Sequence, residues 1–233
     1  MSAELANTLL RAAEEGNPTS LIDSTQFPSD CLTQALCAAS KNGKVTVMSA
    51  LIAAKAPINQ CHEKYAPLHL AVFNNKINAV QVLIDARADV DFQDESGNTP
   101  LAVAAFRNDP EIMNLLIAAK ASLDTTNTRG FTPLATATSN GNTDAVRVLV
   151  ENGANLDRRD SQKNTPVSVA AFKGYADILR ILVDAKASTS VVIKGDKTAL
   201  DYAVENKHLE AARVLKEANM RTPILPTPRK CAR

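Results

Sequence analysis

Gly97-Asn98-Thr99-Pro100-Leu101-Ala102-Val103-Ala104-Ala105 decides the fold, because it returns at a fixed interval. Thr132-Pro133-Leu134 stands 33 residues further on, Thr165-Pro166-Val167 another 33, and Thr198-Ala199-Leu200 another 33. The same step backwards reaches Ala66-Pro67-Leu68-His69-Leu70-Ala71, and a step of 32 before that reaches Gln34-Ala35-Leu36-Cys37-Ala38-Ala39. A constant period of this length marks modules stacked in a row, each too small to bury its own apolar side.

Each recurrence carries the same local chemistry. Thr is a good N-cap, its hydroxyl taking a backbone N–H of the first helical turn, and Pro is tolerated just inside that start. Small residues follow on one face (Ala71, Ala104, Ala137, Ala170, Ala203), which lets neighbouring helices approach closely. The helix is expected to stop at Asn75, Asn108, Gly141 and Gly174, residues that accept a left-handed backbone. A second helix follows, with apolar pairs one turn apart: Ala79-Val80 with Leu83-Ile84, Ile112-Met113 with Leu116-Ile117, Ala145-Val146 with Leu149-Val150, and Ile178-Leu179 with Leu182-Val183. These positions form one stripe at helical spacing. Asp109-Pro110-Glu111 starts one such helix with a cap, a proline and an acidic first turn.

Period and motif together resemble the ankyrin repeat over about residues 25–220, with five successive units in phase. The resemblance implies an all-α ankyrin-repeat solenoid of helix-turn-helix units joined by β-hairpin or loop connections, elongated and curved. The chain departs from the family pattern in places. Lys55, Arg87, Lys120 and Lys186 replace the Gly that ends the family's second helix, which survives at Gly153. The motif His is present only as His69. The hairpin Gly stands at Gly97 and Gly130, with Lys64, Lys163 and Asp196 elsewhere.

Lys and Arg number 26 against 25 Asp and Glu, a net charge of +1. That balance argues against nucleic acid or an anionic membrane as partner, since either needs a surplus of cations on one face. Cys31, Cys37, Cys61 and Cys231 form no C-x-x-C pair and no secretory framework, which points to a reducing compartment. Met1 to Asn7 lacks the basic start and apolar core of a signal peptide, and no apolar run approaches the ~20 residues needed to cross a bilayer. The expectation is a soluble, monomeric protein of the cytoplasm, or alternatively the nucleus.

Composition also marks the ends. Ala3 to Gly16 reads as a helix with Leu5, Leu9 and Ala12-Ala13 on one side, followed by a short helix around Thr19–Ser24. A polar outer face there suits the end unit of a stack. Phe27-Pro28-Ser29-Asp30 reads as a linker. In the last unit Lys216 stands where Ile84, Ile117, Val150 and Val183 stand earlier, so no further unit docks there. The expected division is therefore 1–30, capping helices and linker; 31–220, an irregular first unit and five phased repeats, the last a cap; and 221–233, a Pro-rich basic tail. Thr227-Pro228-Arg229-Lys230 in that tail resembles a proline-directed phosphorylation site.

Catalysis finds little support. His69 and His208 occupy motif positions, which leaves His62 in Cys61-His62-Glu63, whose adjacent side chains do not match the spacings of a zinc site. Asp89 to Gly97 is acidic, but an EF-hand beginning at Asp89 would need Gly at Asp94 and Glu at Pro100. Phosphate-binding, dinucleotide-binding and nucleophile-elbow glycine motifs are missing from the sequence. The reading is no enzyme, no metal and no cofactor. Arg147, Arg180 and Arg213 recur on the second helix, each three residues after Asp144, Asp177 or Glu210, and read as exposed ion pairs rather than a basic stripe.

The aromatic residues point to the site. In ankyrin stacks, the residue before the motif Thr and those seven and eight after it face the concave surface. Here the first set is Tyr65, Asn98, Phe131, Asn164 and Lys197, and the second is Phe73, Phe106, Ser139, Phe172 and Glu205. Five of the chain's nine rings fall in these ten positions. Asn74, Arg107, Asn140 and Lys173 follow at the eighth position, and Arg129 flanks the rings. The bland reading is that the Phe rings pack between consecutive helices. The functional reading is a partner-binding stripe of Tyr65, Phe73, Asn74, Asn98, Phe106, Arg107, Arg129, Phe131, Asn140, Phe172 and Lys173, a composition typical of interface hot spots. It would engage an apolar helix or extended segment with acidic flanks. The expected function is a non-catalytic protein–protein interaction scaffold, with an inhibitor that occludes an enzyme's active site as the alternative.

Overall fold

The computed structural model describes residues 3–16, 27–192 and 197–221. The helix expected near 19–24, the hairpin position Asp196 and the tail with Thr227 lie outside the described residues. The chain forms two compact units, Met1–Asn155 and Leu156–Arg233.

The first unit holds α1 (Ala3–Glu15), α2 (Ser29–Asn42), α3 (Val45–Ala53), α4 (Pro67–Phe73), α5 (Ile77–Asp85), α6 (Pro100–Arg107), α7 (Pro110–Ala118), α8 (Pro133–Asn140) and α9 (Thr143–Glu151). Helices α1, α2, α4, α6 and α8 pack one on the next as an inner layer, and α3, α5, α7 and α9 form a second layer over them. The second unit repeats the arrangement with α10 (Pro166–Lys173) and α12 (Ala199–Glu205) inside, α11 (Ala176–Asp184) and α13 (Leu209–Arg221) outside. No strand occurs among the described residues, only an isolated bridge between His62 and Tyr65.

The expected caps are in place. Thr99, Thr132, Thr165 and Thr198 each accept the backbone N–H three residues on, and Asp109 accepts that of Ile112. Helix α2 lacks the Thr-Pro signal and runs for 14 residues from Ser29, where α4 and α6 have 7 and 8. Ser29 and Asp30 therefore belong to a helix and not to a linker. Ala71, Ala104, Ala137, Ala170 and Ala203 are fully buried, which lets the inner helices approach closely. On the outer helices the stripe is narrower than expected. Ile112, Met113 and Leu116 are fully buried while Ile117 is half-buried, and Ala79, Val80, Leu83 and Ile84 repeat the pattern. Three residues per helix face the inner layer, and the fourth turns toward its edge.

Inner helices end where expected, with Asn75, Asn108, Gly141 and Gly174 at positive φ. At the outer-helix ends Lys55, Arg87, Lys120 and Lys186 keep the left-handed backbone of the glycine they replace, with φ of 62°, 64°, 71° and 70°. A side chain in that region is strained by about 1–2 kcal/mol, offset in part by the lower chain entropy of a non-glycine residue when unfolded. In the first unit the triple substitution Lys55→Gly, Arg87→Gly and Lys120→Gly is expected to raise stability by about 1.5 kcal/mol, read as a higher urea midpoint at unchanged slope. A lower midpoint would show that the cations are worth more at the helix ends than the strain removed.

Candidate functional site

The hairpins position the residue that precedes each inner helix. Asp94 is buried; its Oδ1 accepts the N–H groups of Ser96 (2.9 Å) and Asn98 (2.8 Å), and its Oδ2 accepts the Asn98 amide (3.2 Å). Asn127 accepts from Arg129 and Phe131 in the next hairpin, and Asp160 from Gln162 and Asn164 in the second unit. Gly97 has φ of 76°, and a Cβ there would lie 2.9 Å from the Thr128 nitrogen of the adjoining hairpin, so the position excludes any side chain. The first hairpin differs. Cys61 occupies the place of Asp94 and offers no carboxylate, so a backbone pair, His62 N to Tyr65 O (3.1 Å) and Tyr65 N to His62 O (3.3 Å), closes the turn. The left-handed residue is accordingly Glu63, not Lys64, which aligns with the hairpin glycines.

The motif histidine joins one module to the next. His69 Nε2 donates to the Asn98 carbonyl at 2.9 Å, which leaves Nδ1 buried without a partner. Burial lowers its pKa, opposed by the Asn98 carbonyl and the charge of Asp94. Because the folded pKa lies below the unfolded value near 6.5, the stability this group contributes is complete above that pH and is lost as pH falls, with a slope approaching ~1.4 kcal/mol per pH unit. Between pH 7.5 and 5.5 the wild type should lose more stability than His69→Ala in chemical denaturation. Equal losses would exclude His69 as the group responsible.

Rings project from this frame. Tyr65 is 44% exposed, and Phe73, Phe106 and Phe172 are each 49% exposed, so each leaves about half of its surface open to solvent. Phe131 is half-buried beneath Arg129, whose guanidinium carbon lies 4.8 Å from the ring centroid, and Arg107 lies 5.3 Å over Phe73. In the first unit Tyr65, Phe73, Phe106 and Phe131 meet around a groove of about 520 Å³, joined by Asn98, Arg129 and Asn140. Asn74 and Arg107 stand outside its lining. The Asn amides are engaged internally: Asn74 caps Leu70 O, Asn140 caps Thr136 O, and Asn98 binds Asp94 and Asn127.

Phe172 and Lys173 belong to the second unit, where Phe172 meets Tyr202 edge-on at 6.0 Å. The other histidine at a motif position, His208, braces this unit by bonding the Phe172 carbonyl at 3.0 Å. Of the expected outer ion pairs, Asp177–Arg180 (2.6 Å) and Glu210–Arg213 (2.7 Å) form, and Arg180 also reaches Glu210 on α13. Asp144 does not pair with Arg147. Asn108, left-handed at the end of α6, binds Asp144 through its amide at 3.3 Å and accepts Ala145 N at 2.9 Å. No group of three or more His, Cys, Asp or Glu able to hold a metal ion occurs among the described residues. Burial pushes the Cys37 thiol up to about 12.

A family model described as ankyrin repeats (3 copies) matches residues 9–94, 74–160 and 157–223. The chain belongs to the ankyrin-repeat family. A crystal structure of an ankyrin repeat domain from Acinetobacter baumannii AYE is similar, with a TM-score of 0.74 and 26% identity; the match covers 79% of this chain and 97% of that one. No curated protein matches the chain. Ankyrin repeats generally serve as protein–protein interaction modules and are typically non-catalytic. The first matched range begins at Leu9, within α1.

Ankyrin positions seven after the Thr give three of the exposed rings, but the position four after it was missed. Val103 and Thr136 line the first groove and Tyr202 the second unit's. Four and seven lie one helical turn apart on the same face, which was the available signal.

Proposed function

We propose that this protein is a non-catalytic recognition module that binds a protein partner through the aromatic groove of its first unit. The observation that carries this reading is the convergence of Tyr65, Phe73, Phe106 and Phe131 with Arg129 on one groove, with three of the rings about half exposed. Aromatic and Arg side chains dominate the binding energy of protein interfaces. The hairpins hold Tyr65 and Phe131, and helices α4 and α6 carry Phe73 and Phe106, so little ordering entropy opposes association.

Residues 31–220 carry recognition in this reading, with the ends acting as caps; Phe172 and Lys173 lie in the second unit. The protein acts as a monomer in the cytoplasm, or alternatively the nucleus, a placement supported by its cysteine usage. No described helix is long and apolar enough to cross a membrane. Neither nucleic acid nor a cofactor is part of the reading. Affinity capture followed by mass spectrometry should recover a partner with the wild type and lose it with Phe73→Ala/Phe106→Ala, a weakening of about thirtyfold or more. A folded double variant that captures the same partner equally well overturns the proposal.

A further inference from the structure

The second unit, Leu156–Arg233, has a groove of its own with a different chemistry. Its volume is about 860 Å³. The floor is apolar, made by Val169, Val192 and the edge-on pair of Phe172 and Tyr202. Arg159 and Lys163 stand on its wall, both exposed. Among the described residues no carboxylate lines it and no ion pair engages either cation. Three described carboxylates elsewhere in the unit are engaged. Asp160 accepts from Gln162, Asn164 and the Asn164 amide; Asp201 caps Thr198; Glu205 holds Lys197 at 2.7 Å. Two cations thus face an apolar floor without an internal counter-charge among the described residues.

We propose that this groove is a second docking site, selective for an extended acidic segment of a protein partner in which carboxylates flank a bulky apolar side chain. The apolar side chain fills the space over Phe172 and Tyr202, and the carboxylates meet Arg159 and Lys163 in charge-assisted hydrogen bonds. Charge complementarity selects the occupant: among the described residues the charged groups of the lining are Arg159 and Lys163, and Val169, Val192, Phe172 and Tyr202 accept an apolar group. Nucleic acid fits less well, because two cations make a short phosphate track and the two rings meet edge to face rather than lying open for base stacking. The proposal rests on the reading that the chain recognises proteins and gives this unit a ligand charge the first groove does not require.

The test uses the full chain and the fluorescein-labelled peptide Gly-Glu-Leu-Glu-Phe-Glu-Gly, the same peptide with Gln for every Glu, and an oligothymidine, each followed by fluorescence anisotropy at low salt. The acidic peptide should bind about tenfold or more tightly than either of the others. Arg159→Gln/Lys163→Gly should weaken it by about tenfold. Lys163 has φ of 68° where Gly97 and Gly130 stand in the other hairpins, so the Gly there preserves the turn. The charge-matched control Lys186→Gly/Lys207→Gly, also at left-handed positions outside the groove lining, should leave binding within about twofold. Equal binding of the two peptides, tighter binding of the oligothymidine, or indifference to the Arg159/Lys163 pair overturns the proposal. Partner capture through Phe73 and Phe106 is read separately, so failure of one site does not decide the other.

Discussion

Asp94→Ala is expected to destabilise the protein by about 3 kcal/mol, and Cys61→Ala, at the same place in the preceding hairpin, by less than about 1 kcal/mol. The difference follows from what each side chain accepts. Asp94 gathers two backbone N–H groups and one amide within 3.2 Å while almost fully buried. Removing it orphans donors held by a charged acceptor, and each buried orphan costs about 1–3 kcal/mol. The damage spreads, because Asn98 also offers its carbonyl to His69 and its side-chain oxygen to Asn127. Cys61 makes no such contact; the backbone pair of His62 and Tyr65 closes that hairpin instead. Urea unfolding followed by circular dichroism measures both variants. Similar losses would mean that the carboxylate is not what holds this turn, and that Asn98, the groove residue bonded to it, is placed by other means.

The same contrast shows what the sequence made legible. Thr-Pro and the 33-residue step specify an N-cap, a helix start and a family, because each is a local rule with one physical outcome. The left-handed helix ends at Asn75, Asn108, Gly141 and Gly174 were readable for the same reason. Hairpin register was not. Aligning the units on Thr and Gly puts the first turn at Lys64, but the turn is governed by the acceptor at Asp94, and its replacement by Cys61 shifts the left-handed residue to Glu63. Asp144 was read as the partner of Arg147 because spacing along one helix is visible in a sequence, whereas the reach of Asn108 from the module before it is not. For the groove, ring positions before the Thr and seven after it pointed to Tyr65, Phe73, Phe106 and Phe131. The Asn side chains beside them looked equally available, yet they cap their own helices and hairpins. Tyr202 was overlooked because its position holds aliphatic residues or Thr in the other units: Leu70, Val103, Thr136 and Val169.

Leu116→Ala is expected to destabilise the first unit by about 3–4 kcal/mol, and its neighbour Ile117→Ala by about 1 kcal/mol. The sequence treats the two as equals in one apolar stripe. The structure separates them: Leu116 is fully buried, as are Leu83 and Leu149 one module either side, while Ile117 is half-buried. Helix α7 packs on α5, α6 and α9. A cavity at Leu116 therefore opens among several helices, and small residues such as Ala104, already fully buried, have no bulk with which to refill it. Ile117 loses less area from water and leaves a notch that solvent can fill. Lys216, exposed at the corresponding place in the last module, shows that this position tolerates a charge where no further helix pair follows among the described residues. Denaturation midpoints of the two variants decide the matter. Comparable losses would restore the four-residue stripe and move Ile117 into the core between modules.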